Sequence, residues 1–214
     1  IEFLVDTSAN RFVFIEANAR LQVEHTISEE IYEVDLVEAQ LRIADGESIA
    51  ELGLDQLTAK GFAIQLRINM ETMQADGTTR PSGGMISAFN PPSGPGIRLD
   101  TYAYSSYSTN PRFDSLLAKL IVVNKKHDFR SALAIAYRSL CEFQIEGVAS
   151  NLSFLQAILT HEEVKQVNFY TRFIDDNVAM LVEQNVHQQH YMAASLGQVT
   201  RNKVTVKQAG ATVE

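Results

Sequence analysis

Three oxygen-bearing side chains near the start of the chain could together hold a divalent cation. Glu2 opens the run Glu2-Phe3-Leu4-Val5-Asp6, and Glu16 closes Arg11-Phe12-Val13-Phe14-Ile15-Glu16, with Thr7-Ser8-Ala9-Asn10 between them. Two apolar-rich segments around a short polar break predict a hairpin. Residues two apart in a strand point to one side, so Glu16 and Asn18 share a face, and a turn centred on Ala9 sets Glu2 opposite Glu16. Like charges opposed across a strand pair repel. A Mg²⁺ or Mn²⁺ ion would neutralise them, because two carboxylates and an amide oxygen are hard ligands that leave room for water and phosphate oxygens. The plainer reading is that one glutamate simply faces solvent at a sheet edge.

A second set follows at once in Arg20-Leu21-Gln22-Val23-Glu24-His25. If this backbone is extended, alternation puts Arg20, Gln22 and Glu24 on one side. A guanidinium offers forked donors and a carboxylate can act as a base, so the trio could hold a small planar oxyanion and take its proton.

The elements that must carry these residues can be read from periodicity and punctuation. After the hairpin and an irregular stretch from 18 to 26, apolar residues at 31, 34, 37, 41 and 44 predict an amphipathic helix over Ser28 to Ala44, stopped by Gly46. A second short helix is expected over Ile49 to Leu57. From Gly61 the texture changes to strands over 62–69, 84–89, 97–102 and 115–123, separated by Gly/Pro-rich turns such as Pro81-Ser82-Gly83-Gly84 and Asn90 to Gly96. Helical spacing returns over 128–143 with Asp128 as cap, followed by a short strand over 143–147 and a helix capped by Asn151 that runs to about Leu159. Beyond Glu183 the pattern degrades and reads as a linker. No internal repeat is evident. With no initiating Met and a first residue already inside a strand, the chain reads as a piece of a larger polypeptide.

Composition narrows the function classes. The chain has 214 residues, 45% hydrophobic and 21% charged, with 26 acidic against 18 basic residues and a net charge of -8. That is an ordinary globular composition. The negative balance argues against nucleic acid as a partner, so any phosphate must be met by local groups. The longest uncharged apolar runs, such as Leu120 to Val123, fall far short of the roughly 20 residues a membrane span needs, which argues against a membrane partner. Nothing at the start resembles a secretory signal, and one cysteine, Cys141, suits a reducing, cytoplasmic location.

The run Phe14-Ile15-Glu16-Ala17-Asn18-Ala19-Arg20-Leu21-Gln22-Val23-Glu24-His25 resembles the signature of the biotin carboxylases. These ATP-grasp enzymes carboxylate biotin at the start of acetyl-CoA, propionyl-CoA, pyruvate and urea carboxylase reactions. Val34 to Ala44, Gly61 to Asn69, the turn at Pro81 to Gly84, Gly94 to Asp100 and Phe113 to Ile121 are similar to further family segments. The resemblance spans roughly residues 1 to 180. It implies an α+β fold: residues 1–57 as the C-terminal remnant of an ATP-grasp domain, 58–183 as the β-rich biotin carboxylase C-terminal domain with flanking helices, and 184–214 as a linker toward a further domain.

Roles carry over position by position. Glu2, Glu16 and Asn18 fall on metal ligands of the ATP complex, Arg20 on a catalytic arginine, Gln22 and Val23 on bicarbonate contacts, and Glu24 on the general base. Arg67 falls on the arginine that contacts bicarbonate and steadies the biotin enolate. The implied cofactors are ATP, Mg²⁺ or Mn²⁺, and biotin on a separate carrier domain. The implied partners are that carrier domain, a carboxyltransferase domain or subunit, and a possible homo-oligomer. In the family, bicarbonate attacks the γ-phosphate to give carboxyphosphate, which breaks into CO₂ and phosphate, and the phosphate takes the N1 proton of biotin.

Departures accompany the match. Met70-Glu71-Thr72-Met73 stands where the family usually has Ala-Glu-Asp-Pro, so a reshaped loop is expected there. Pro95 replaces an aromatic of a dimer-forming segment that keeps its arginine as Arg98. The family's glycine-rich nucleotide loop, phosphate-binding lysines and Ala-Met-Lys-Met biotinylation motif have no counterpart in these residues, so the chain alone is expected not to turn over ATP. Two rivals remain: another ATP-grasp ligase such as a carbamoyl-phosphate synthase large subunit, and a non-catalytic interaction module. Of the other residues, Cys141 reads as core, His25 as either a structural hydrogen-bonder or a tuner of Glu24, and His187 with His190 as polar tail rather than a metal site. Asp114 and Lys119 either tie the β unit to the active site or are surface charges.

Overall fold

The computed structural model describes residues 1–110, 112–125 and 128–184. The expected linker beyond residue 184, with His187 and His190, lies outside the described residues. Two strands, β1 (Glu2–Asp6) and β2 (Arg11–Glu16), form an antiparallel hairpin. Apolar residues on both its sides, including Leu4, Val5, Phe12 and Phe14, stand exposed.

The helix expected over 28–44 is two helices. α1 (His25–Tyr32) ends where Glu33 turns left-handed at φ 54°, and α2 (Leu36–Ala44) starts at Asp35, whose carboxylate accepts the Glu38 N–H. The buried Glu29 side chain adds a second cap by accepting the Leu36 N–H at 3.0 Å. These caps satisfy N–H groups that a new helix start leaves orphaned, and they override the continuous apolar spacing. On α2 only Ala39 is buried, while Val37, Leu41 and Ile43 are exposed. The short helix expected over 49–57 is a 3₁₀ turn at Leu54–Gln56.

The centre of the molecule is a three-stranded antiparallel sheet in the order β3 (Phe62–Asn69), β8 (Leu116–Asn124), β7 (Ile97–Thr101). Between them in sequence lie a small hairpin, β4 (Glu71–Met73) with β5 (Thr79–Pro81), and β6 (Ala88–Asn90). The expected strand over 84–89 is thus much shorter. α3 (Phe129–Glu142) starts at the expected cap, Asp128, and leads into β9 (Gln144–Glu146), which pairs with β6. α4 (Leu152–Thr160), the short α5 (Glu162–Lys165) and α6 (Phe173–Glu183) complete the described chain.

Alternation along the strands separates the two faces of this sheet. Leu66, Ile68, Leu120 and Val122 join Leu133, Ala136 and Leu140 of α3 and Phe154 and Ala157 of α4 in the core. Cys141 lies fully buried beside it, with its Sγ accepting from Gln156 Nε2 at 3.4 Å. Burial pushes its thiol pKa up, so it is a structural thiol as its place in the sequence predicted. The opposite face, under α1, carries Gln65, Arg67, Lys119, Arg98 and Asp100, and it is this face that meets the candidate site.

Candidate active site

The hairpin brings Glu2 opposite Glu16, as the sequence predicts, by a slightly different route. Asp6 pairs with Arg11 and Phe3 with Phe14, which centres the turn between Ser8 and Ala9, and a bulge between Glu2 and Phe3 restores the Glu2–Glu16 pair. Asn18 lies past the end of β2, yet its Nδ2 donates to Glu2 Oε1 and to Glu16 Oε1, each at 3.2 Å. Both carboxylates therefore converge on one amide group. Rotation of that amide would present its oxygen to the same place, which completes a three-oxygen donor set. The set fits a hard divalent cation. Among the described residues no three His, Cys, Asp or Glu side chains gather in this way, so the amide is needed as third ligand.

The extended run expected from Arg20 to Glu24 is not formed. Residues 23 and 24 turn, the His25 N–H donates to the Gln22 carbonyl at 3.3 Å and the Ile27 N–H to the Glu24 carbonyl at 3.0 Å, so α1 begins at His25 with Glu24 as its N-cap residue. The trio does not share a strand face. Gln22 instead reaches back to the carboxylate pair, donating from Nε2 to Glu2 Oε1 at 3.0 Å. Among the described residues Arg20 donates to the carbonyl of its neighbour Leu21, at 3.1 Å, and it is exposed. The Glu24 carboxylate is exposed and has no hydrogen-bond or ion-pair partner among the described residues. His25 Nδ1 donates to the Gln22 carbonyl at 2.7 Å, which is the structural role.

Arg67 sits on β3 with its side chain exposed and unpaired among the described residues. It pairs in register with Lys119 of β8, and Asp100 of β7 pairs with Lys119 from the other side, so one row across the sheet reads arginine, lysine, aspartate. Lys119 Nζ lies 3.2 Å from Asp100 Oδ2 and 3.3 Å from the Val23 carbonyl. Arg98 fans out to Asp100 at 3.0 Å, Glu29 at 2.9 Å and Glu30 at 3.1 Å. Partial burial opposes the charge on Asp100, but hydrogen bonds from Arg98 and Lys119 outweigh it and hold the carboxyl below its usual range. The same network overcomes burial at Arg98 and raises its pKa. Asp114 acts locally, accepting the Leu116 N–H at 2.8 Å where β8 begins.

Sequence reasoning missed Asp100, Glu29 and Asn151 as parts of this arrangement. The signal for Asp100 was available in the alternation Ile97-Arg98-Leu99-Asp100, which puts both charges on the face of Lys119. Asn151 holds the cap position of α4 without capping it with its side chain. Its Oδ1 accepts the Asn69 N–H at 2.9 Å and its Nδ2 donates to the Arg67 carbonyl at 3.0 Å, steadying the end of β3.

The described residues thus bring together an acidic pair with an amide at the hairpin end, an exposed Arg20 and an exposed Glu24 on either side of Gln22, and a further exposed arginine, Arg67, on the adjoining sheet. Residues 1–52 match the family described as carbamoyl-phosphate synthase L chain, ATP binding domain, and residues 65–176 match the biotin carboxylase C-terminal domain. The second match covers just over half of the chain, which therefore belongs to the biotin carboxylase C-terminal domain family. Pyruvate carboxylase of Komagataella pastoris is 41% identical over 212 residues, 96% of this chain and 17% of that protein. Biotin carboxylase of a Nostoc species is 41% identical over 176 residues, 82% of this chain and 38% of that protein. The solved biotin carboxylase domain of a single-chain bacterial carboxylase is 40% identical with a TM-score of 0.76, covering 87% of this chain and 42% of its own. The chain thus spans well under half the length of these relatives.

Proposed function

We propose that this chain is the C-terminal part of a biotin carboxylase within a longer biotin-dependent carboxylase. Residues 1–57 are the end of an ATP-grasp domain, 58–183 are the C-terminal domain, and 184–214 lead toward a further domain. The observation that carries the reading is the convergence of the Glu2, Glu16 and Asn18 set, through Gln22, on the turn that rests against the sheet of Arg67. The exposed apolar residues of the hairpin and of α2 support it as well, since they are surfaces that the rest of an ATP-grasp domain would cover.

In this reading Glu2, Glu16 and Asn18 would hold Mg²⁺ or Mn²⁺, which would supply charge neutralisation for the phosphates of ATP. Gln22 and the Val23 backbone hold bicarbonate, Arg20 orients it, and Glu24 takes its proton so that it attacks as the dianion. Arg67 would contact bicarbonate and would offer its exposed guanidinium as charge stabilisation when biotin is bound. Biotin arrives on a carrier domain, and a carboxyltransferase passes the carboxyl group to an acceptor in the cytoplasm. The test is ATP cleavage by the intact carboxylase with bicarbonate and free biotin: cleavage that needs both, with carboxybiotin formed, is the expected result. The match of residues 1–52 to an ATP-binding domain of carbamoyl-phosphate synthase favours a second reading, another ATP-grasp ligase. Bicarbonate-dependent cleavage indifferent to biotin and stimulated by an ammonia donor would favour that one.

A further inference from the structure

Lys119 joins parts of the molecule that are far apart in sequence. Its three N–H donors meet three acceptors: Asp100 Oδ2 at 3.2 Å, the Val23 carbonyl at 3.3 Å and Thr26 Oγ1 at 3.5 Å. Val23 lies between Gln22 and Glu24, and Thr26 is in the first turn of α1. Thr26 in turn donates to Gln65 Oε1 at 2.7 Å, two residues before Arg67. The Lys119 side chain is 13% exposed and Thr26 1%, so the contact between them is shielded from water and counts for more than a surface contact, while Asp100, 33% exposed, holds the lysine from the solvent side. A surface charge held only by solvent would have neither the burial nor the three partners.

We infer that Lys119, oriented by Asp100, is a positioning residue that fixes the Gln22–Glu24 turn against the strand of Arg67 and thereby sets the affinity for bicarbonate. The inference rests on the biotin carboxylase reading above. Asp100 neutralises the lysine where it stands beside Arg67, so the row across the sheet can bring two cations together without pushing the strands apart. All three Lys119 donors are directed at the Asp100, Val23 and Thr26 acceptors. The effect of the lysine passes through the Val23 carbonyl, whose displacement by even 1 Å would misplace the flanking Gln22 and Glu24.

The experiment compares Lys119→Met, Lys119→Arg and Asp100→Asn in the intact carboxylase. Lys119→Met keeps the aliphatic stem and removes all three donors; the apparent KM for bicarbonate should rise about tenfold or more, while the KM for ATP stays within about twofold. Lys119→Arg, which restores donors to the Val23 carbonyl and Asp100, should recover most of the bicarbonate affinity. Asp100→Asn should give an intermediate rise. A merely structural lysine would lower the thermal midpoint and leave the two KM values moving together, which overturns the inference. An unchanged bicarbonate KM in Lys119→Met overturns it too, and if that variant does not fold, an unchanged value in Asp100→Asn does so. Wild-type carboxylase whose ATP cleavage ignores bicarbonate and biotin would fail before any variant is compared, and it would overturn the functional reading together with the inference.

Discussion

Asn151 pairs with Asn69 as a neighbouring strand would. Its backbone N–H donates to the Asn69 carbonyl at 3.1 Å, and its side-chain Oδ1 accepts the Asn69 N–H at 2.9 Å. Among the described residues β3 pairs with β8 on one side only, so Asn151 closes part of an otherwise open strand edge. Replacing it with Ala leaves the Asn69 N–H and the Arg67 carbonyl without these partners, and should destabilise the chain by about 1–2 kcal/mol. Asn151→Asp, which keeps the acceptor and loses the donor, should lose less. Urea unfolding of both variants measures this, and a midpoint equal to wild type for Asn151→Ala would show that the pairing contributes nothing.

Among the described residues neither the Glu24 carboxylate nor the Arg67 guanidinium has a partner, yet the two should fail differently. Glu24→Gln keeps shape and hydrogen-bonding capacity but cannot accept a proton, and should cut bicarbonate-dependent ATP cleavage in the intact carboxylase by roughly 10² to 10⁴. Arg67→Ala should lower carboxybiotin formation by a comparable order while retaining part of the biotin-independent ATP cleavage. Carboxybiotin formed per ATP cleaved separates the two. Full activity in Glu24→Gln, or unchanged coupling in Arg67→Ala, would remove that residue from its role.

Glu33 gives the fold a pH dependence with a defined sign. Hydrogen bonds from Lys125 and Lys60 draw its carboxyl from 4.5 down to about 2. The folded chain therefore holds this group ionised where the unfolded chain protonates it. The resulting stability is complete above about pH 4.5 and is lost as pH falls toward 2. Both partners are on the surface, so salt should weaken the effect. Wild type and Glu33→Gln should differ in unfolding midpoint near neutral pH and converge in acid. A difference that does not change with pH would contradict this account.

Gly147 has φ 90°, and a Cβ there would lie 2.1 Å from the Met85 carbonyl oxygen and 2.8 Å from the Ser87 nitrogen, both backbone atoms. Gly147→Ala must therefore adopt a disfavoured conformation and push two backbone segments apart, at a cost of about 2 kcal/mol or more. Gly46→Ala is the control, because its φ is also positive at 108° but nothing lies within 4 Å. Thermal unfolding should rank Gly147→Ala well below Gly46→Ala, and equal midpoints would show that the contact relaxes freely.

In the 214-residue chain the hairpin should exchange its amide hydrogens fastest among the described strands. Isolated two-stranded hairpins are marginal in water, and this one leaves Leu4, Val5, Phe12 and Phe14 exposed while β8 lies mostly buried. Protection over residues 2–16 equal to that over 116–124 would contradict this.

The elements that were legible in the sequence are those whose local signals agree with long-range packing. β3 matches its predicted bounds because Gln65 and Arg67 alternate with Leu66 and Ile68, and the sheet has one polar and one apolar face. The break between α1 and α2 was hidden because Ile31, Val34 and Val37 keep a helical phase across it; the stop comes from a left-handed Glu33 and the reach of Glu29 to Leu36. The strand over 84–89 shortens because Gly84 is at φ 149° and Met85 bridges to Ser108, a partner no local pattern announces. At the site, the Glu2–Glu16 pairing followed from hairpin counting. The turn at Val23 did not, because Lys119, 96 residues away, holds it.

The single cysteine gives this chain a built-in chemical clock. Cys141 is fully buried and its thiol pKa is raised, so a maleimide or an aromatic disulfide in solution reacts with it only when α3 comes away from α4. No engineered label is needed and no second thiol competes. The labelling rate of the unmodified protein counts openings of the core, and the same reagent applied to the Asn151, Gly147 and Glu33 variants ranks how often each one opens.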